Sequence, residues 1–311
     1  MKKLTLFFFF SFLFVLTQIS AQQKLAPELE GRWDITIHNK EGKERPSWLE
    51  VSHSGNRSLV GRFVSVSGSA RPVALIVYSK PKLSFSIPPQ WEKGAGDLVF
   101  EGTLTGDKME GIIVYPDGSK NTWSGVPAPK LVRNSEPLWG KPINLFNGKD
   151  LDGWNAMGPN QWVAENGVLR SPKSGSNIAT NQNFTDFKLH IEFKYPKGSN
   201  SGVYLRGRYE VQIEDSKGMD PLVDLFSSVY GFITPNEMAA KEAGEWQSFD
   251  ITLVGRMVTV VANGKTVICN QTIPGITGGA LDSKEGEAGP LFFQGDHGAV
   301  EFRNIVLTPI K

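Results

Sequence analysis

The 311-residue chain carries 33 Lys and Arg against 32 Asp and Glu, a formal net charge of +1, which argues against a nucleic-acid partner, whose phosphates call for a basic surface. The length suggests two domains. With Cys269 as the only cysteine, no disulfide can form within the chain, so a hydrophobic core must hold each domain. Abundant Gly, Trp and Phe with little helical periodicity point to an all-β protein with many turns.

Residues 1–21 stand apart from the rest. Lys2 and Lys3 precede a Phe/Leu run over 4–17, and Ile19, Ser20 and Ala21 end in a small residue suited to cleavage. This is the pattern of a secretory signal peptide, and the apolar run is too short and too close to the terminus for a spanning helix. No cysteine lies near the cleavage point to carry a lipid. The expectation is an exported mature chain, periplasmic or extracellular, with no membrane span.

Residues 27–131 predict a compact β domain. Strand-like runs fall at 31–37, 48–51, 59–66, 73–78, 82–87, 98–104, 108–115 and 122–125, with turn residues between them, as at Thr105-Gly106-Asp107 and Pro116-Asp117-Gly118. Short, evenly spaced strands joined by tight turns suggest a meander closing into a small antiparallel barrel. Gly31-Arg32-Trp33 resembles the first-strand Gly-x-Trp of lipocalin-type barrels. Trp48, Trp91 and Trp123 offer sugar platforms, although tryptophan in a small barrel is more often core. Residues 126–142 are Pro-rich and aperiodic, as a linker would be.

Residues 143–311 predict a second β domain. Asn166-Gly167, Gly255-Arg256 and Asn263-Gly264 mark hairpins, and 187–195 alternates Phe187, Leu189, Ile191, Phe193 and Tyr195 with polar residues, as a half-buried strand does. Cys269 falls in a strand-like run and reads as a core or sheet residue. Residues 215–244 form a long irregular connection with one candidate helical turn at 236–243, and such a length marks a functional loop or lid. Two packed antiparallel sheets account for the pattern.

The richest stretch is 198–215. If it is extended, with a bend or bulge at Gly207, Val203, Leu205, Tyr209, Val211 and Ile213 share a core face. The other face lines up Tyr204, Arg206, Arg208, Glu210, Gln212 and Glu214. A tyrosine, two guanidiniums, two carboxylates and an amide in one row suit a polar ligand site. The plainer alternative is a cross-strand Arg–Glu ladder contributing about 0.2–1 kcal/mol per pair. No His-x-x-x-His or Cys-x-x-Cys spacing suggests zinc, and no glycine-rich phosphate loop suggests a nucleotide. Asp215 and Asp296 could instead join backbone carbonyls around a hard cation such as calcium.

Several ordered motifs then carry a resemblance. They are Leu-Phe-Asn-Gly-Lys-Asp-Leu-Asp-Gly-Trp (145–154), Glu-Asn-Gly-Val-Leu (165–169), Asp-Phe-Lys-Leu-His-Ile-Glu-Phe (186–193), Asn-Ser-Gly-Val-Tyr-Leu-Arg-Gly (200–207), Tyr-Glu-Val-Gln-Ile-Glu-Asp (209–215) and Gln-Gly-Asp-His-Gly (294–298). Together they resemble the 3-keto-disaccharide hydrolase domain family over about 144–309. The resemblance implies a concanavalin A-like, jelly-roll β-sandwich binding a small-molecule carbohydrate. Family members often carry a loop between the Arg-Gly and Tyr-Glu segments, which abut here, so a more open cleft rim is expected.

The activity that the resemblance implies is cleavage of a glycoside oxidised to a ketone at C3, by elimination and hydration. Such a site needs a base near C2, a donor near the leaving oxygen and hydrogen-bond donors for enolate charge. Glu210 or His297 would be the base, with the other assisting departure; Arg206 or Arg208 would hold the oxyanion; Gln212 and Gln294 would read sugar hydroxyls. Two alternatives stay open: a non-catalytic, lectin-like carbohydrate-binding module, and a glycosidase for unoxidised sugars, which needs two carboxyls about 5–10 Å apart.

Overall fold

The computed structural model describes residues 25–311, and the signal peptide expected at 1–21 lies outside them. Among the described residues all regular structure is strand, and no helix is long and apolar enough to cross a membrane. The first eight strands are β1 (Gly31–His38), β2 (Glu44–Ser54), β3 (Ser58–Val64), β4 (Arg71–Ser79), β5 (Lys82–Ile87), β6 (Leu98–Thr105), β7 (Lys108–Val114) and β8 (Lys120–Pro127). They form a closed antiparallel barrel, β8 pairing back to β1, so every expected run in this region becomes a strand. The interior is packed by aromatic side chains. Phe100 stacks on Phe85 at 4.5 Å and meets Phe63 at 4.6 Å, over a buried Trp123. Closing the sheet removes its edges and buries these rings together.

The rest of the chain is a two-sheet sandwich. The smaller sheet runs in the order β10 (Trp154–Ala156), β13 (Ile178–Phe184), β20 (Gly289–Phe293), β15 (Asn200–Leu205), β16 (Tyr209–Glu214). The larger runs β11 (Val163–Glu165), β12 (Val168–Ser171), β21 (Val300–Pro309), β14 (Phe187–Lys194), β17 (Gln247–Val254), β18 (Met257–Ala262), β19 (Lys265–Thr272), with the short β9 (Ile143–Asn144) on β21. The β11–β12 and β18–β19 hairpins turn at Asn166-Gly167 (φ 53° and 77°) and Asn263-Gly264 (φ 51° and 81°), the paired left-handed residues that a two-residue hairpin needs. Cys269 lies in β19 with its side chain exposed, a sheet residue and not a core one.

The stretch 198–215 is a hairpin, β15 and β16, instead of one strand bent at Gly207. Arg206 (φ 52°) and Gly207 (φ 69°) are both left-handed, and the Arg208 N–H closes the turn on Leu205 O at 3.0 Å. The chain therefore reverses where a bulge would only have bent it. Its expected core face survives the change, because Val203, Leu205, Tyr209, Val211 and Ile213 all join the sandwich core. Its polar face is split across two strands that pair Asn200 with Glu214, Gly202 with Gln212 and Tyr204 with Glu210. Those side chains stand side by side on the outer face of the smaller sheet.

The connection over 215–244 holds no helical turn. Asn236 N–H pairs with Val267 O, Lys241 N–H with the Gln247 side chain, and Ala239 O accepts from the Asn263 amide, so the backbone of 236–243 is satisfied by the β17–β19 strands instead of by itself. Earlier in the loop, Gln212 N–H donates to Ser228 O (3.0 Å), Ser227 N–H to Gln212 O (2.8 Å) and Tyr230 N–H to Glu210 O (3.0 Å). With Phe226 and Val229 buried, this segment extends the sheet beside β16 as a fixed wall.

The barrel docks on the sandwich. Trp48 of β2 belongs to the sandwich core cluster and meets Phe232 edge to face at 5.2 Å, and a Cβ on Gly275 would run into its indole. The segment expected as a linker is laid along the larger sheet, with Trp139 bridging Ile310 and Arg133 Nε donating to Asp186 at 2.6 Å.

Candidate functional site

A cleft of about 350 Å³ opens where the outer face of the smaller sheet meets the barrel, within the range of small-molecule sites. Tyr204, Glu210 and Gln212 form its floor with Asn200. Asn177, Gln294, Asp296 and His297 line one side, Tyr230 and the Gly278-Gly279 loop lie against the floor, and Ser67, Gly68 and Trp91 come from the barrel. Five residues predicted from the sequence thus meet in one place: Tyr204, Glu210, Gln212, Gln294 and His297.

Glu210 is the strongly perturbed carboxyl there. Burial pushes its carboxyl up to about 8, against the pull of the Tyr204 hydroxyl and the His297 charge. Space for the carboxylate exists because residue 202 is glycine; a Cβ there would strike it. The hydrogen bonds fit the neutral acid. Tyr204 has one hydroxyl proton and two oxygens in reach, Glu210 Oε2 at 2.8 Å and Gly278 O at 2.9 Å. A carbonyl can only accept. Both contacts are satisfied when Tyr204 donates to Gly278 and the Glu210 hydroxyl donates to Tyr204. Burial also holds Tyr204 and Tyr230 as phenols, Tyr230 pushed up to about 12.

His297 sits at the cleft margin, about half exposed, with Nδ1 2.7 Å from Asp296 Oδ1. That hydrogen bond raises the imidazole above its ordinary range and lowers Asp296 below the usual carboxylate range. With Nδ1–H donated to Asp296, Nε2 is left for proton traffic. The loop is anchored by the Gly295 N–H, which donates to Asn177 Oδ1 at 2.8 Å. Two amide oxygens in the cleft, Gln212 Oε1 and Gln294 Oε1, are buried and find no donor.

Other expected residues lie elsewhere. Arg206 is in the hairpin turn, fully buried, over the Tyr209 ring at 5.0 Å and donating to Gly255 O at 2.7 Å. Arg208 grips Asp282 (2.7 and 3.0 Å) and the carbonyls of Arg206 and Glu287. Neither guanidinium lines the cleft, because the chain reversal at 206–208 sends Arg206 to Tyr209 and Gly255 and Arg208 to Asp282 and Glu287. Glu214 stands just behind the floor, accepting from the Asn200 and Gln212 amides, its carboxyl raised by burial. Asp215 accepts the Gly198 N–H at 2.9 Å and is not a cleft residue, whereas Asp296 is. Among the described residues no three His, Cys, Asp or Glu side chains are grouped to hold a metal ion.

The segment that builds the cleft floor matches a known family model, the 3-keto-alpha-glucoside-1,2-lyase-like domain, over residues 141–308, more than half of the chain. The chain belongs to that family. It is 31% identical over 99 residues to a 3-keto-disaccharide hydrolase of Bacteroides thetaiotaomicron, a match spanning 28% of this chain and 34% of that protein. The chain thus covers about a third of that relative's length. Two structures from Parabacteroides distasonis ATCC 8503, both crystallised as proposed glycosyl hydrolases, are similar to it: one at 29% identity and TM-score 0.47, covering 58% of this chain and 96% of that one, the other at 26% and 0.44, covering 54% and 98%.

The family segment accounts for all of the cleft except Ser67, Gly68 and Trp91. Sequence reasoning assigned no role to Asn177, Asn200 or Tyr230. Tyr230 carried a signal, lying in a long connection of the functional kind, and so did Asn200, in step with the polar row of 198–215; Asn177 carried none.

Activity at this site is expected to follow a bell-shaped pH profile. With His297 as base and Glu210 as acid, the acid limb would report His297 losing its proton above its raised value, and the alkaline limb would report Glu210 losing its proton as the pH rises through about 8. Rate profiles should show that Glu210→Gln removes the alkaline limb from the remaining activity and His297→Gln removes the acid limb.

Proposed function

We propose that this cleft cleaves 3-keto-glycosides, 3-keto-disaccharides among them, by elimination followed by hydration. The observation that carries this reading is a buried carboxyl held neutral up to about pH 8 in the same cleft as a histidine–aspartate pair with a free ring nitrogen. A ketone at C3 acidifies the hydrogen on C2. His297 Nε2 takes that proton, the C–H electron pair moves into a C2–C3 double bond, and charge develops on the C3 oxygen. As the ketone re-forms, a C1–C2 double bond forms, the C1–O bond breaks, and the Glu210 carboxyl gives its proton to the leaving oxygen. Water then adds at C1, losing a proton to the Glu210 carboxylate, while His297 returns a proton to C2. The sum is the addition of one water, and each group ends as it began.

With Arg206 and Arg208 away from the cleft, neutral donors must meet the enolate charge. The Tyr230 phenol and the Asn177 side-chain nitrogen, left over when Asn177 Oδ1 accepts from Gly295, are the donors at hand. The leader-like residues 1–21 add export to the proposal. The test is turnover of a 3-keto-disaccharide beside its unoxidised parent by the purified protein. The proposal expects cleavage of the keto sugar alone. Equal cleavage of both would contradict it, and binding of both without cleavage would favour a carbohydrate-binding module.

A further inference from the structure

The barrel's three tryptophans of interest differ sharply: Trp48 and Trp123 are 0% and 2% exposed, but Trp91 is 69% exposed and faces the cleft. Its position is built. The Glu92 carboxylate accepts the backbone N–H of Gln90 and of Trp91 and pairs with Arg71 at 2.9 Å, while Arg71 also donates to Pro88 O at 2.8 Å. The Gln90 amide donates to Ser69 Oγ at 3.0 Å, tying this loop to the neighbouring 66–70 turn. That turn is in turn clamped to the sandwich. Gly279 N–H donates to Val66 O at 2.9 Å, and a Cβ on Gly278 would collide with Gly68. An indole left in water costs hydrophobic free energy, yet this one is fixed beside a polar floor by an ion pair and four other hydrogen bonds.

We propose that Trp91 is the platform for the leaving sugar ring, making the barrel a specificity element of a site whose chemistry lies in the sandwich. Glu210, His297 and the polar Asn177, Asn200, Gln212 and Gln294 belong to the floor and far side of the cleft, which suit the densely hydroxylated keto ring. The barrel wall instead offers one flat apolar surface with a polar edge, which fits the C–H face of a second pyranose. This rests on the reading of the cleft as a sugar site, but not on the elimination chemistry.

The test is calorimetric binding of a 3-keto-disaccharide and of the methyl 3-keto-glycoside of the same sugar. It is done in the Glu210→Gln protein, so that the ligands persist, with Trp91, Trp91→Ala and Trp91→Phe. Trp91→Ala should weaken the disaccharide about tenfold or more and leave the methyl glycoside unchanged, and Trp91→Phe should keep most of the affinity. Equal binding with and without the indole, equal losses on both ligands, or binding of neither ligand would each overturn the platform. Wild-type turnover is measured separately. The binding contrast without turnover would leave the platform standing and remove the elimination reading; turnover without the contrast would do the reverse.

Discussion

Glu210→Gln is expected to lower turnover of a 3-keto-glycoside by about 10²–10⁴, the usual worth of a positioned acid or base, while making the fold more resistant to alkali. Both effects come from the same burial. The folded carboxyl titrates near 8 and the unfolded one near 4.5, so the folded chain binds the proton more tightly. Below pH 4.5 both states hold the proton and the difference costs nothing. As pH rises past that value the unfolded chain ionises first and stability falls, until the deficit is complete above about 8. Glutamine has no proton to lose, so the variant should gain a few kcal/mol over wild type at pH 9 and little at pH 4. Denaturant unfolding at the two pH values checks this. A variant that stays active and melts lower would make Glu210 a structural partner of Tyr204.

Arg256→Ala is expected to cost about 3–5 kcal/mol, the penalty for stranding a buried charge. Arg256 lies in the β17–β18 turn and makes a two-pronged pair with the Glu285 carboxylate, both side chains at most 3% exposed. It also donates to Pro129 O and Pro274 O, and Tyr209 donates its hydroxyl to Glu285 at 2.9 Å. Asp34 of β1 in the barrel reaches the same cluster, and burial and then the Glu285 charge push it up to about 9. Arg256 therefore neutralises the buried Glu285 carboxylate where barrel and sandwich meet. Arg170→Ala is the control. Its partner Glu165 is 58% exposed, and such a surface pair contributes about 0–1 kcal/mol. Equal melting of the two variants would show that the junction does not depend on Arg256.

Much of this architecture is written locally. The alternation in 187–195, the Asn-Gly turns and the evenly spaced runs of the barrel each specify a strand or a reversal from a few neighbouring residues, and they appear as β14, two hairpins and β1 to β8. Half of the polar row in 198–215 was legible for the same reason: Tyr204, Glu210 and Gln212 share a face whether the stretch is one strand or two. Arg206 and Arg208 were not, because their direction depends on a left-handed conformation at Arg206 that few non-glycine residues adopt. The missing turn at 236–243 has a tertiary cause, since its backbone bonds go to strands close in space and not in sequence. The barrel's share of the cleft was illegible too. Nothing in the sequence around Trp91 says that its loop faces Tyr204 and Glu210, more than a hundred positions on.

In the proposed reaction the C2–H bond breaks before the C1–O bond. The most direct measurement of this order is solvent deuterium at C2, read by NMR or mass spectrometry after incubation of a 3-keto-glycoside with enzyme in D2O. The product sugar should carry deuterium at C2, and early-recovered substrate should too wherever reprotonation competes with departure of the leaving group. The unoxidised glycoside should remain intact and unlabelled. Full cleavage with hydrogen retained at C2 would contradict elimination and point to direct displacement at C1.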